Sequence, residues 1–183
     1  MLTISIPKKE FFNEETMEFV VVKEQEIKLE HSLLSVSKWE SKWHKPFLGQ
    51  GDDAVKTDEE LLDYIRCMTV TSKVDPIVYF AIPALEIDRI NDYISDPMTA
   101  TWFSKDARGG YSREIITAEL IYYWMIALNI PFECEKWHLN RLLTLIQVCN
   151  IKNQPPKSMK KNEVYQRNRD LNAQRRKQLG TTG

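Results

Sequence analysis

The chain has 183 residues, 43% of them hydrophobic, with five Trp, seven Tyr and seven Phe, which supports one real core and excludes disorder throughout. The net charge of −1 hides a split: residues 1–151 carry 16 Lys/Arg against 24 Asp/Glu, and residues 152–183 carry nine against two. An acidic body with a basic tail points to a protein that touches something, through tail or body, rather than to an enzyme.

Cys67, Cys134 and Cys149 are few, odd in number and set among apolar residues, which predicts reduced thiols rather than a disulfide framework. Met1–Pro7 alternates polar and apolar residues and lacks the pattern of a signal peptide. The longest apolar stretch, Leu120–Ile130, is broken by Asn129 and falls short of the roughly 20 residues of a membrane span. These features predict a soluble protein of the cytoplasm.

Leu2–Ile6 alternates as a strand and stops at Pro7; Met17–Lys23 is β-branched and apolar; Ile27–Glu30 alternates again. Two or three short strands in a small sheet or hairpin are expected. His31–His44 then places Leu33, Val36, Trp39 and Trp43 at helical intervals before Lys45-Pro46. Gly49–Asp53 is a loop. Thr57-Asp-Glu-Glu60 has capping-box form and opens a helix through Leu61, Leu62, Ile65 and Met68.

Ile77–Ile82 reads as strand or buried helix. Pro83 suits a first helical turn, with Leu85, Ile87, Ile90 and Ile94 behind it. Thr99–Phe103 is a candidate strand and Lys105–Gly110 a loop. Ser112 is a candidate N-cap for an Ile115–Leu128 helix that is apolar almost all round, hence a central buried helix or an oligomer seam. Glu135–Cys149 is the last core helix, carrying Trp137, Leu142, Leu143, Leu145, Ile146 and Val148. Trp124 and Trp137 are both expected to be largely buried. Gln154-Pro155-Pro156 marks the domain edge. Lys161–Leu179 is a basic, helix-compatible segment with too few apolar residues to fold alone.

Cys134 and His138 have the i, i+4 spacing of a metal pair, but a structural zinc site needs about four ligands and no partner motif follows, so a buried thiol and a partly exposed imidazole are expected. Asp88, Asp92 and Asp96 fall four apart on one face and read as a solvated side; no nucleophile, His or phosphate loop accompanies them or Glu114 and Glu119. No metal or cofactor is expected. Trp39 and Trp43 share a face interleaved with Lys38, Lys42 and Lys45, so core packing competes there with a partner-binding groove or a nucleic-acid platform. The acidity of the body weighs against nucleic acid. For the tail, an acidic protein surface is favoured over nucleic acid because no recognised nucleic-acid motif is present.

Several strings are distinctive: Leu29-Glu-His-Ser-Leu-Leu-Ser-Val-Ser-Lys-Trp-Glu-Ser-Lys-Trp-His-Lys-Pro-Phe47, Asp96-Pro-Met-Thr-Ala-Thr101, Tyr122-Tyr-Trp-Met-Ile-Ala-Leu-Asn-Ile-Pro-Phe-Glu-Cys134, Lys136-Trp-His-Leu-Asn-Arg-Leu-Leu143, Asn150-Ile-Lys-Asn-Gln-Pro-Pro156 and Arg167-Asn-Arg-Asp-Leu-Asn-Ala-Gln-Arg-Arg-Lys177. Together with shorter matches they span most of residues 29–177 and resemble the tail assembly chaperones of tailed bacteriophages of the siphophage type. The resemblance implies a mainly helical N-terminal domain without catalytic residues. It implies binding to the tape-measure protein, recruitment of the major tail (tube) protein, and work in the host cytoplasm. A virion component of tail or neck is the near alternative, and a nucleic-acid-binding accessory protein the more distant one.

The expectation is therefore a mainly helical α+β domain over residues 1–154 with a small N-terminal sheet, and a basic, flexible or partner-docked tail over 155–183. The candidate partner-binding residues are Trp39, Trp43, Lys160, Lys161, Arg167, Arg169, Arg175, Arg176 and Lys177, with self-association as a further expectation.

Overall fold

The computed structural model describes residues 1–13, 17–49, 55–103, 115–153 and 161–180. They form two compact units, Met1–Lys152 and Asn153–Gly183. The architecture is mainly helical α+β, with its strands at the N-terminus.

Four strands open the chain: β1 (Leu2–Ile6), β2 (Lys9–Asn13), β3 (Glu18–Val22) and β4 (Gln25–Leu29). β1 pairs antiparallel with β4 and β2 with β3. The two ladders share one register, which runs without slip from Leu2 opposite Leu29 to Asn13 opposite Glu18. This is one long hairpin interrupted at Pro7-Lys8, where proline removes a ladder donor. In the proximal half, Ile4, Ile6, Ile27 and Leu29 face the core and are fully buried, while Thr3, Ser5, Glu26 and Lys28 face solvent. In the distal half, Val22 is buried, but Phe12, Phe19 and Val21 are exposed. β2 was not foreseen in the sequence, because Lys9 and Glu10 hide its short apolar pair.

The outer edge of β4 is not left open. Glu30 N donates to Met68 O and Val70 N to Lys28 O, both at 2.8 Å, so the residues that follow α2 act as a short third strand.

α1 (Leu33–Trp43) is the hub of the first unit and packs against both α2 (Asp58–Met68) and α4 (Ala118–Ala127). Ser32 caps its start, accepting from Ser35 N, and His44 ends it in the left-handed region, its amide donating to Glu40 O at 2.8 Å. The α2 capping box is complete: Thr57 Oγ1 accepts from Glu60 N, and Glu60 Oε2 accepts from Thr57 N. Residues Pro76–Ala81 form a 3-10 turn, which settles the strand-or-helix ambiguity of that run; Pro83 is the N-cap residue of α3 (Ala84–Ser95). α5 (Leu139–Asn153) closes the first unit, and α6 (Lys161–Leu179) is the helix of the second.

Several expectations are corrected. Thr99–Phe103 is not a strand: Asp96 Oδ1 accepts from Met98 N in a turn, no sheet edge receives the segment, and Trp102 is exposed. α4 begins at Ala118, capped by Thr117, so Ile115–Thr117 are not helical; Ser112, the Lys105–Gly110 loop and most of the Gly49–Asp53 loop lie outside the described residues. α5 begins at Leu139 because Phe132–Lys136 is a separate 3-10 turn. Trp137 therefore stands on the joint between them, 36% exposed rather than buried, with the Arg141 guanidinium 4.4 Å from its ring centroid.

Candidate functional site

Trp39 lies inside the core, 1% exposed, and its indole N–H donates to Glu60 O at 2.8 Å. It ties α1 to α2 and offers nothing to a partner, which corrects its candidacy. Trp43 is half-buried, and its indole N–H donates to Asp63 Oδ2 at 2.9 Å. Two of the three lysines that made this face look like a basic platform are engaged: Lys42 Nζ meets Asp63 Oδ1 and Lys45 Nζ meets Glu60 Oε1, each at 2.5 Å. The Lys45 hydrogen bond and the Thr57 amide hold the Glu60 carboxyl below its ordinary range. Sequence spacing brought the right residues to one face but could not show that acidic partners on α2 would meet them.

Below that face lies a buried polar seam. Glu40, on α1, accepts from Phe47 N and Ala118 N, each at 2.7 Å. Burial raises its pKa against those two hydrogen bonds. His31 Nδ1 pairs with the Tyr64 hydroxyl at 2.5 Å, and its ring lies 5.0 Å from that of His138. His138 is buried rather than partly exposed; its Nε2 pairs with Tyr93 O at 2.9 Å, and its Nδ1 has no partner among the described residues. Burial, with His138 alongside, depresses His31 to about 3, so its imidazole is neutral. Among the described residues no group of three or more His, Cys, Asp or Glu is placed to hold a metal. Cys134 sits in the core, and burial pushes its thiol pKa up.

A cleft of about 560 Å³ lies along the end of β4 and the start of α1 and is lined in part by Glu30, Ser35, Lys38, Cys67 and Lys136. Its ionisable groups do not form a nucleophile–base pair. Glu30 accepts from the Tyr93 hydroxyl at 2.6 Å, and burial, followed by Asp63, raises the Cys67 thiol pKa.

α4 presents a different kind of surface. Ala118, Ile121 and Met125 are buried at helical spacing. The opposite side carries Tyr123 and Ile126, 63% and 61% exposed, one turn apart. Phe132, also exposed, lies 6.3 Å ring to ring from Tyr122. The Tyr122 hydroxyl donates to Glu135 Oε2 at 2.8 Å, and burial together with that bond raises its pKa. This helix is apolar on both sides, as the sequence pattern indicated, and Tyr123 and Ile126 stand exposed on one of them. Scattered exposed apolar residues are ordinary; two on one helix face near an exposed Phe make this a candidate interaction surface.

In the second unit, the described side chains of α6, residues 165–179, are all exposed. Arg167, Arg169, Arg175, Arg176 and Lys177 lie on this one helix. Lys161 opens it, but its side chain, like the whole of Lys160, lies outside the described residues. The candidate residues thus fall into unlike groups: a core tryptophan, a half-buried tryptophan spent on Asp63, and an exposed cationic helix. The α4 face, read from the sequence as a central buried helix or an oligomer seam, carries exposed apolar residues.

No helix among the described residues is long and apolar enough to cross a membrane. Comparison of the chain with protein-family models, with curated proteins and with solved structures finds no match.

Proposed function

We propose that this protein is a non-catalytic protein-binding factor, and that it acts in phage tail morphogenesis, keeping the tape-measure protein soluble in the host cytoplasm and recruiting tail-tube subunits. The phage assignment rests on the resemblance of residues 29–177. The observation that carries the binding reading is the uncovered apolar face of α4, Tyr123 and Ile126, with Phe132 beside it. A long helical client is satisfied by such a face through apolar anchors one turn apart. Trp39 has no part in this, since its burial makes it a folding residue.

Co-expression with the tape-measure protein tests the proposal. The wild type raises the client's soluble yield. Tyr123→Lys with Ile126→Lys leaves the fold intact, because exposed substitutions of this kind usually change stability by less than about 0.5 kcal/mol, and removes the effect. Unchanged client yield with a folded wild type overturns the chaperone reading. A stoichiometric presence in finished particles supports the virion-component alternative instead.

A further inference from the structure

Of the 19 residues of α6, 12 are Arg, Lys, Asn or Gln, so the helix is built of hydrogen-bond donors rather than of core formers. At 100° per residue, Tyr165, Asn168, Arg169, Asn172, Arg175 and Arg176 fall within roughly 120° of its circumference. All six side chains are exposed. The two acidic residues of the helix, Glu163 and Asp170, fall on the opposite side, roughly 160–180° from the middle of this stripe. Arg167 also lies off it. α6 therefore segregates its charge: one face carries asparagines and arginines at i, i+3, i+4 and i+7 spacing, and the acids lie behind it.

That spacing is where a helix bound in a protein groove carries its apolar anchors. Between Tyr165 and Leu179 this stripe holds none; Leu171 lies off it, and Leu179 reaches it only in the last turn. A stripe of donors with net positive charge fits a polyanion whose groove displays base edges. Arg pairs bidentately with guanine and Asn with adenine, and a Tyr hydroxyl reaches phosphate. The major groove of B-form DNA, roughly 12 Å wide, admits an α-helix, whereas that of duplex RNA is too deep and narrow to be read by side chains.

We infer that α6 is a DNA-reading helix, whose Tyr165–Arg176 stripe lies in the major groove of duplex DNA. Asn168 and Asn172 meet base edges, and Arg169, Arg175 and Arg176 divide between bases and phosphates. The sequence favours an acidic protein surface for this segment because it matches no nucleic-acid motif; the helical register supplies the face that no motif describes. Residues 1–151, with 24 Asp/Glu against 16 Lys/Arg, repel the same polyanion. Screening confines that repulsion to charges within about 8 Å at physiological salt. The inference rests on α6 and needs neither the α4 face nor the tape-measure protein, so failure of the co-expression test leaves it standing.

The test is fluorescence anisotropy of the full chain with a labelled duplex DNA, followed by selection from a randomised duplex pool. The expected result is binding that weakens with salt, with a log–log slope of about −3 to −5, and a preferred sequence in the selected pool. Arg169→Glu with Arg176→Glu binds at least about tenfold more weakly, with unchanged circular dichroism. Gln174→Ala with Gln178→Ala, off the stripe, binds as the wild type does. Asn168→Ala with Asn172→Ala loses the preference for adenine within the selected site and keeps the salt slope, which separates groove reading from phosphate attraction. Polyglutamate and duplex RNA of the same sequence compete poorly. Absence of DNA binding at low salt overturns the inference. Equal competition by polyglutamate overturns it in favour of an acidic protein partner, and equal competition by duplex RNA removes the major-groove reading. A selected pool without sequence preference, or one that the Asn168/Asn172 variant leaves unchanged, reduces α6 to a nonspecific cation and likewise overturns it.

Discussion

Glu40 and Ala118, 78 positions apart, are joined by a buried hydrogen bond of 2.7 Å from the Ala118 amide to the Glu40 carboxylate. The carboxylate thereby caps the first turn of α4 from the middle of α1, where the helix dipole favours negative charge. Its second oxygen accepts from Phe47 N, which fixes the chain as it leaves α1. One side chain thus ties the start of α4 and the exit from α1 to the same point.

Glu40→Ala leaves both amides without their acceptor. A loss of about 2–4 kcal/mol is expected in urea unfolding, because each deserted buried donor costs roughly 1–3 kcal/mol. Glu40→Gln keeps one acceptor oxygen and loses about half as much. A change below about 0.5 kcal/mol for the alanine variant would show that the α4 cap is not supplied by Glu40.

The buried imidazole of His31 makes stability depend on pH. Its folded pKa is about 3, against an ordinary value of 6.5. Between those values the unfolded chain binds a proton that the folded chain does not, so stability is highest above pH 6.5 and is lost as pH falls toward 3. From pH 7 to pH 4.5 the loss from this group is about 2–3 kcal/mol. Glu40, whose folded pKa is raised, acts in the opposite direction as pH falls. The groups facing His31 are Tyr64 on α2 and His138 before α5. His31→Asn should flatten the slope between pH 6.5 and 4.5. A wild-type stability that is level across that range contradicts a neutral buried His31.

How far the sequence could be read shows in its tryptophans. Trp39 and Trp137 both follow apolar periodicity, yet Trp39 is buried and Trp137 is not. Periodicity assumes an unbroken helix; a 3-10 turn at Phe132–Lys136 ends the register before Trp137 and rotates it outward. The Thr57 capping box and the Leu33–Trp43 helix were legible because they are local. The acidic partners that neutralise Lys42 and Lys45, and the Glu40–Ala118 bond, join distant segments and leave no local pattern. Trp39→Ala should therefore cost about 3–5 kcal/mol, and Trp137→Ala less than about 1 kcal/mol, each by chemical denaturation. Equal costs would contradict the placement of Trp137.

The N-terminal hairpin should come apart in two stages. Its proximal half buries Ile4, Ile6, Ile27 and Leu29, whereas its distal half beyond Pro7 exposes the cross-strand pair Phe12 and Phe19, with ring centroids 5.1 Å apart. A two-stranded ribbon is marginal unless one face is packed, and only Val22 and part of Phe11 and Val20 supply that packing here. The interruption at Pro7-Lys8 keeps fraying of the tip from spreading into β1 and β4. Phe12→Ala should remove about 0.5–1 kcal/mol of cross-strand contact. Hydrogen exchange should show the effect locally: amides of Lys9–Asn13 and Glu18–Val21 exchange faster, and those of Leu2–Ile6 and Gln25–Leu29 keep their protection. Equal acceleration in both halves would mean that the hairpin opens as one cooperative piece and that the proline break does not isolate its tip.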